Sequence, residues 1–172
     1  MKWEVAITTA PRKECTLQQC IDSLRDCGWE PTIFAEPGST NTNCLTIHNS
    51  TKLGIWNNWV NSVRCALKTD AEVIMTVQDD TLFHPDSKKF VESIMWPSPD
   101  CGFISLYTPK HYTIRRDKTI RPVGVNKIVT KSLWGACALV WPREVLEKVI
   151  NHPLIEAWAG APPKSGNKEV IQ

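Results

Sequence analysis

The sequence predicts an α/β domain with a mostly parallel central sheet that helices cover on both faces. Short segments rich in apolar and β-branched residues alternate along the chain with segments of helical periodicity, which is typical of this class. The chain has 172 residues, of which 42% are hydrophobic and 22% charged, a composition that suits a globular domain with a substantial core. We therefore expect a single domain over residues 1–172.

The first half of the chain contains three predicted strands and two predicted helices. The predicted strands span residues 3–8, 31–35 and 44–48. A first helix begins at Thr16 and ends near Gly28, since its apolar residues recur at the i, i+3, i+4, i+7 spacing of one helix face. A second helix spans residues 53–67. Its predicted buried side consists of Ile55, Trp59, Val63 and Ala66.

The second half is predicted to complete the sheet. Residues 72–77, E-V-I-M-T-V, are the strongest strand in the chain and run directly into Gln78-Asp79-Asp80. A short helix is predicted over 90–95, a strand over 101–107, an apolar segment over 134–141, and a helix from Pro142 to about Ile150. Residues 110–131 are charged and aperiodic, which predicts a long loop or a β excursion.

Charge and hydropathy exclude several protein classes. A formal net charge of +2 is too small for a dedicated nucleic-acid coat or a membrane-surface protein. No run of about 18 apolar residues is present for a membrane span, and the N-terminus does not have the pattern of a secretion signal. The seven cysteines are scattered without a C-x-x-C pair, which favours reduced, packed thiols. We expect a cytoplasmic protein without a membrane partner.

The end of the chain is unusual for a complete domain. The segment from residue 161 is polar and loop-like until Lys168, where the sequence predicts the start of a helix just before it stops. This pattern predicts a domain that is shortened at its C-terminus.

Gln78-Asp79-Asp80 is the most informative segment for function. Two adjacent carboxylates at the end of a buried strand repel one another and lose hydration, and a divalent cation removes that cost. Hard oxygen ligands suit Mg²⁺ or Mn²⁺, and either ion would in turn hold a diphosphate. The alternative is an acidic turn that caps the next helix.

Three further features lie at predicted strand ends or helix starts. The loop from Thr8 and Thr9 to Arg12 offers hydroxyls and a guanidinium to a ribose or a phosphate, although a generic turn would have a similar sequence. Glu36 follows the second strand, where a carboxylate accepts hydrogen bonds from a base or ribose, or is simply solvated. Gly54 starts a helix, where the backbone is open to an anion. Together with the acid pair, these features predict the rim of one cleft.

The sequence resembles nucleotide-sugar glycosyltransferases of the GT-A fold, near the family-2 type. The blocks that carry the resemblance are V-A-I-T-T-A-P-R, L-G-I-W-N-N-W, V-I-M-T-V-Q-D-D-T-L-F, F-I-S-L-Y-T-P and W-G-A-C-A-L-V-W-P-R. The Q-D-D form of the usual Asp-any-Asp motif is similar to a phage or bacterial subgroup. The resemblance covers nearly the whole chain and implies a Rossmann-like three-layer sandwich.

The resemblance implies roles for particular residues. Asp80 would be the metal ligand, with Asp79 or Gln78 near the ribose and sugar. The other implied donor contacts are Thr9, Arg12 and Glu36 at the base and ribose, Gly54 and Asn58 beside the nucleotide, and Trp134 and Gly135 at the sugar and acceptor. Glu169 is the nearest candidate for the general base, but no surrounding motif identifies it. The late histidine that often completes the metal site has no match, since His152 has the context of a helix end.

The implied reaction is transfer of a sugar from a nucleoside-diphosphate donor, with UDP favoured on family grounds, to a hydroxyl acceptor. Mn²⁺ or Mg²⁺ would neutralise the charge that develops on the leaving diphosphate. The basic segment 110–118 suggests an acceptor such as a modified DNA base; a glycan acceptor and a solvated loop are the alternatives. For a phage-encoded protein, the host cytoplasm is the expected location.

Two other functions stay open at this point. Nucleotidyl transfer uses a related sheet, but it would want a glycine-rich phosphate loop after the first strand, and the segment from Thr8 to Arg12 contains no glycine. A non-catalytic or truncated module that binds a sugar nucleotide is the other alternative, because a shortened chain would lack part of the catalytic machinery.

Overall fold

The computed structural model describes residues 1–96, 99–107 and 136–159. They form a six-stranded sheet flanked by helices. The strands are β1 (Trp3–Thr9), β2 (Pro31–Ala35), β3 (Thr46–His48), β4 (Val73–Gln78), β5 (Ile104–Ser105) and β6 (Ala138–Pro142). The helices in the described residues are α1 (Leu17–Asp26), α2 (Gly54–Ala66), α3 (Ser87–Ile94), α4 (Arg143–Ile150) and α5 (Pro153–Ala159).

The sheet has the order β3-β2-β1-β4-β6-β5 and is mostly parallel. β1 pairs in parallel with both β2 and β4, and β2 pairs in parallel with β3. β6 is antiparallel to both of its neighbours, β4 and β5. Along the chain, β2 and β3 are added on one side of β1, and β4 is then added on its other side. Such a reversal opens a crevice at the carboxyl ends of the two central strands, where ligands bind in open α/β sheets.

Two apolar layers place helices on opposite faces of the sheet. Alternate residues of β4 point to opposite faces, so that Met75 packs in one cluster and Ile74 in the other. The first cluster contains the buried face of α1, namely Leu17, Cys20, Ile21 and Leu24, together with Val91 of α3. The second contains apolar residues of α2 and α4. This confirms the predicted three-layer α/β sandwich.

Most predicted elements are confirmed, with shifted ends. Gly28 follows α1 with φ +83°, the left-handed conformation that ends helices at low cost with glycine. The third predicted strand is shorter than expected, and the helix predicted from residue 90 already begins at Ser87. The strand predicted over 101–107 is reduced to Ile104–Ser105, an edge strand with β6 as its one partner among the described strands.

The prediction that Ile55 is buried is wrong, because its side chain is 85% exposed. Ile55 lies in the first turn of α2, level with Glu36, which already follows the end of β2. The helix therefore has no sheet beneath it at this point. Farther along, Val63 and Ala66 are buried as predicted, while Trp59 is only partly buried.

No helix in the described part of the chain is long and apolar enough to cross a membrane. Cys15, Cys20, Cys27, Cys44, Cys65 and Cys137 are free thiols, in agreement with the reduced state that the sequence predicts.

Candidate functional site

The candidate site lies where β1 and β4 end side by side. Thr8 pairs with Gln78 in the parallel register, so that Thr9 and Asp79, one residue farther along each chain, come next to each other. The Thr9 hydroxyl donates a hydrogen bond of 2.5 Å to Asp79 Oδ2. Sheet register therefore brings together two residues that are 70 positions apart in sequence.

Asp79 is 1% exposed and connects the end of β4 with the loop after β1. Its Oδ1 lies 2.5 Å from Arg12 Nη2, an ion pair without the alignment of a hydrogen bond. The Thr16 hydroxyl donates to the backbone oxygen of Asp79 at 2.9 Å. Burial raises the pKa of the Asp79 carboxyl, and the Thr9 hydrogen bond and the Arg12 charge offset part of that rise.

Asp80 differs from Asp79 in its access to solvent. Its side chain is 47% exposed, and its Oδ2 accepts a hydrogen bond of 3.2 Å from Arg12 Nη1. Arg12, whose side chain is 39% exposed, thus contacts both carboxylates of the pair. The arginine offsets the repulsion between the two carboxylates, which we expected a divalent cation to relieve, and Asp80 still presents an accessible carboxylate.

Thr16 is a residue of this site whose role the sequence did not predict. Its position before α1 suggests a helix start, yet its side chain makes no capping hydrogen bond and instead contacts Asp79. The signal in the sequence was ambiguous, because a hydroxyl before a helix is typical of a capping residue.

Glu36 lies at the end of β2 and serves as a buried helix cap. The residue is 3% exposed, which excludes the solvated alternative. Its carboxylate accepts hydrogen bonds from the backbone N–H groups of Leu53, at 2.9 Å, and of Gly54, at 3.0 Å. These groups open α2, where the helix dipole favours a negative charge. A contact of Glu36 with a base or ribose stays a prediction.

Gly54 has φ +79°, a conformation that favours glycine at the start of α2. A Cβ atom at this position would meet nothing within 4 Å, so the backbone here is open to an approaching group. This openness is compatible with the nucleotide contact, which stays a prediction.

Asn58 is 2% exposed and its amide is engaged within the protein. Its Nδ2 donates to the Phe34 carbonyl at 3.0 Å, and its Oδ1 accepts from Asn49 Nδ2 at 2.9 Å. Asn49 in turn accepts a hydrogen bond from Asn61. The predicted role of Asn58 beside a nucleotide remains a prediction, since the structure gives it a bridging role between α2 and β2.

Gln78 directly precedes the acid pair, and its backbone contacts Cys137 and Cys20. The Gln78 backbone N–H donates to the Cys137 carbonyl at 2.8 Å, and its side chain is partly buried. The Cys20 sulfur lies 3.8 Å from the Gln78 carbonyl, and burial raises the pKa of this thiol to about 12. Cys20 therefore remains a neutral packing residue near neutral pH.

The residues fit a divalent cation that arrives with a diphosphate better than one held by protein alone. Within the described ranges, no group of three or more His, Cys, Asp or Glu side chains is arranged to hold a metal ion. Both oxygens of Asp79 are engaged, which leaves Asp80 as the accessible carboxylate. One or two carboxylates plus substrate phosphates are the ligands with which Mg²⁺ is usually bound.

Several predicted site residues lie outside the described residues. These are Trp134, Gly135 and Glu169, together with the basic segment 110–118. An open cavity of about 430 Å³ is present at the opposite edge of the sheet, away from the acid pair. Its lining residues are Met1, Glu72, Val73, Trp96, Pro142 and Glu144.

Comparisons with solved structures show the same fold in nucleotide-utilising enzymes. A mannosyltransferase from Pyrobaculum calidifontis, in complex with GDP-mannose and Mn²⁺, aligns over 85% of this chain with a TM-score of 0.53 and 13% identity. The match covers 46% of that enzyme, so the chain spans about half of its length. A CMP:2-keto-3-deoxy-manno-octonic acid synthetase complexed with CTP aligns over 92% of this chain and 82% of its own, with a TM-score of 0.51 and 12% identity.

No protein-family model and no curated protein sequence matches the chain. The structural similarities establish a Rossmann-like fold of the GT-A and nucleotidyltransferase kind. They do not support the phage subgroup.

Proposed function

We propose that this chain binds a nucleoside-diphosphate sugar at the carboxyl edge of its sheet and transfers the sugar to a hydroxyl acceptor. The observation that carries the proposal is the pair Asp79 and Asp80 at the end of β4, in contact with Thr9 and Arg12 from the end of β1. These residues flank the crevice between the two central strands, which is where this fold class binds its ligands.

The charges at this edge suit a diphosphate. Arg12 is a partly exposed guanidinium whose planar donors match phosphate oxygens. Asp80 presents a carboxylate to a divalent cation, and Mn²⁺ or Mg²⁺ bound there with the donor would neutralise the charge on the leaving diphosphate. The Pyrobaculum mannosyltransferase was solved with GDP-mannose and Mn²⁺, which makes GDP-sugars as relevant a donor class to test as the UDP-sugars that the sequence favours.

The chain's own residues would perform three tasks in the reaction. Asp79 holds the loop of Thr9 and Arg12 against β4, which orients the donor-binding groups. Arg12 would stabilise the negative charge of the departing nucleoside diphosphate. A carboxylate would accept the proton of the acceptor hydroxyl, and Glu169, outside the described residues, is the predicted base.

Binding measurements with a matched pair of variants test the proposal. The wild type should be stabilised in thermal-shift assays by UDP- or GDP-sugars with Mn²⁺, and Asp80→Asn should lose the Mn²⁺-dependent part of that shift. Asp86→Asn is the control, because it makes the same change of charge at a highly exposed site six residues away. Absence of binding by the wild type to every sugar nucleotide would contradict the proposal.

Nucleotidyl transfer is the second candidate, since the synthetase complexed with CTP shares the fold over a larger part of its own length than the mannosyltransferase does. The two reactions release different products. A glycosyltransferase releases a nucleoside diphosphate from a sugar nucleotide. A nucleotidyltransferase joins the nucleotide of a nucleoside triphosphate to a sugar phosphate or a sugar acid and releases pyrophosphate. Assays for both products with the same preparation therefore separate them, and binding without either product would indicate a non-catalytic module.

The proposed acceptor is a hydroxyl group. A modified DNA base and a glycan are both hydroxyl acceptors that the sequence suggested. Transfer to DNA would depend strongly on salt, because contacts with phosphates release counterions. Transfer that does not change between low and high salt would favour the glycan.

A further inference from the structure

Arg12 lies across the acid pair and contacts both carboxylates. Its Nη2 is 2.5 Å from Asp79 Oδ1, and its Nη1 is 3.2 Å from Asp80 Oδ2. A guanidinium in this position supplies the positive charge that two adjacent carboxylates need. A metal ion that binds Asp80 therefore meets a carboxylate that already has a cationic partner.

The two halves of this contact differ in their protection from solvent. The Asp79 side chain is 2% exposed, whereas the Asp80 side chain is 47% exposed. The Thr9 hydrogen bond further holds Asp79 in its place. Ion pairs in contact with water are screened and weak, so the bond between Arg12 and Asp80 is the half that a competing cation breaks first.

We propose that Arg12 is a resident counter-cation of the acid pair, and that a divalent metal ion competes with Arg12 for Asp80. Asp79 retains Arg12 during this exchange, so the guanidinium stays beside the metal and turns its released N–H groups to the anion that accompanies the metal. This inference rests on the proposed function, because the accompanying anion is the diphosphate of the donor.

The exchange makes metal and diphosphate binding depend on each other. Without an anion, the metal and the retained guanidinium are two neighbouring positive charges, which weakens metal binding to the free protein. A diphosphate bridges both charges and removes that penalty. Coupling between two ligands is reciprocal, so each should raise the affinity for the other.

The decisive measurement is the affinity of the free protein for Mn²⁺ alone, followed by electron paramagnetic resonance, without any nucleotide. We expect Arg12→Ala to bind Mn²⁺ about two- to fivefold more tightly than the wild type, the range expected from loss of a solvent-exposed ion pair. Lys13→Ala is the matched control, because it removes one positive charge from an exposed position of the same loop without removing a contact with the acid pair.

Arg12→Gln separates loss of the charge from loss of the contact with Asp79, because the glutamine amide is neutral but can still donate a hydrogen bond to Asp79. It should also bind Mn²⁺ more tightly than the wild type. Unchanged or weaker Mn²⁺ binding by both Arg12 variants would overturn the inference, as would an equal gain in Lys13→Ala, which would indicate a general effect of charge.

The nucleotide arm separates this inference from the proposed function. In the wild type, UDP or GDP should increase Mn²⁺ affinity, after correction for the Mn²⁺ that the free nucleotide chelates, and Arg12→Ala should reduce that increase. If the wild type binds sugar nucleotides with Mn²⁺ but Arg12→Ala shows no gain in Mn²⁺ affinity, the competition fails and the proposed function stands. If Arg12→Ala gains Mn²⁺ affinity but no sugar nucleotide binds, the competition stands and the proposed function fails.

Discussion

The ends of β2 and β4 each carry a buried carboxylate one residue beyond the strand, but the two carboxylates have different partners. Glu36 accepts hydrogen bonds from backbone N–H groups that open α2. Asp79 interacts with the side chains of Thr9 and Arg12. The residues are 3% and 1% exposed, so burial alone does not distinguish them.

The difference shows how similar positions in a sheet acquire different roles. Backbone groups at a helix start cannot leave Glu36 without loss of the first turn of α2, which makes the end of β2 part of the architecture. Arg12 is a flexible side chain that reaches solvent, and the next residue after Asp79 is another acid with an accessible carboxylate. The end of β4 is therefore the part of the edge that can exchange its partners.

The largest expected effect on stability is at the end of β2. Glu36→Ala leaves the Leu53 and Gly54 N–H groups without their acceptor and should lower the free energy of unfolding by about 2–3 kcal/mol. Glu36→Gln retains one acceptor oxygen and should lose less. Urea unfolding measures both variants, and a loss in Glu36→Ala no greater than in Glu36→Gln would show that the cap is not the source of stability.

The next largest loss of stability is expected at Asn58, which is 2% exposed. The sequence predicts that this residue lies beside a nucleotide. Asn58→Ala removes the hydrogen bonds of this buried side chain to the Phe34 carbonyl and the Asn49 amide and should cost about 2 kcal/mol of stability. Asn57→Ala is the control on the same helix, because it removes one partly buried hydrogen bond, from Asn57 Nδ2 to the Leu53 carbonyl, while its Oδ1 lacks a hydrogen-bond partner. Calorimetry at a temperature where both variants are folded tests the predicted ligand contact. A selective loss of sugar-nucleotide affinity in Asn58→Ala would support that contact, and affinities equal to wild type in both variants would contradict it.

A smaller loss of stability is expected at the end of β4. Thr9→Val keeps the shape of the side chain but removes the hydrogen bond to Asp79, which should cost about 1–2 kcal/mol. Thr9→Ser keeps the hydroxyl and should recover most of this stability. If valine and serine prove equally stable in urea unfolding, the short contact contributes nothing.

Asp80→Asn should change stability least among these substitutions, by less than about 0.5 kcal/mol, because its bond with Arg12 is exposed to solvent. The same variant should lose Mn²⁺-dependent nucleotide binding. Substitution of Glu36 at the end of β2 should therefore lower mainly stability, and substitution of Asp80 at the end of β4 should lower mainly binding. An Asp80→Asn protein that unfolds much more easily than wild type would place Asp80 in the architecture beside Asp79.

Thiol labelling measures, without any substitution, how accessible Cys20 is beside the end of β4. Cys15 is exposed, whereas Cys20 is fully buried and burial raises its pKa to about 12. Iodoacetamide should therefore modify Cys15 in the native protein and Cys20 only after unfolding, as peptide mass spectrometry would show. Equal labelling of both cysteines in the native state would mean that the end of β4 opens readily.

Local sequence patterns were sufficient for most of the fold. The buried face of α1 was predicted correctly because helical spacing by itself selects the residues that face a sheet. The prediction that Ile55 is buried was wrong because the same spacing continues into the first turn of α2, which extends beyond the sheet. Periodicity identifies a face of a helix, but the position of the sheet beneath it decides how much of that face is covered.

The candidate site could be predicted only in part. The acid pair was evident because adjacent carboxylates after an apolar strand are electrostatically costly. Its pairing with Arg12 was not, because Arg12 and Asp79 are 67 positions apart and meet through the parallel register of β1 and β4. The contact of Thr16 with the Asp79 backbone oxygen was not predicted for the same reason.

The sequence alone determined the class of the domain, the succession of its central strands and helices, and the place along the chain where charged groups follow a buried strand, because these depend on local periodicity and composition. The tertiary structure decided which carboxylate holds a helix, which holds an arginine and which faces solvent. Those roles depend on distances between residues far apart in the chain and on their burial, and both quantities arise only when the strands pair.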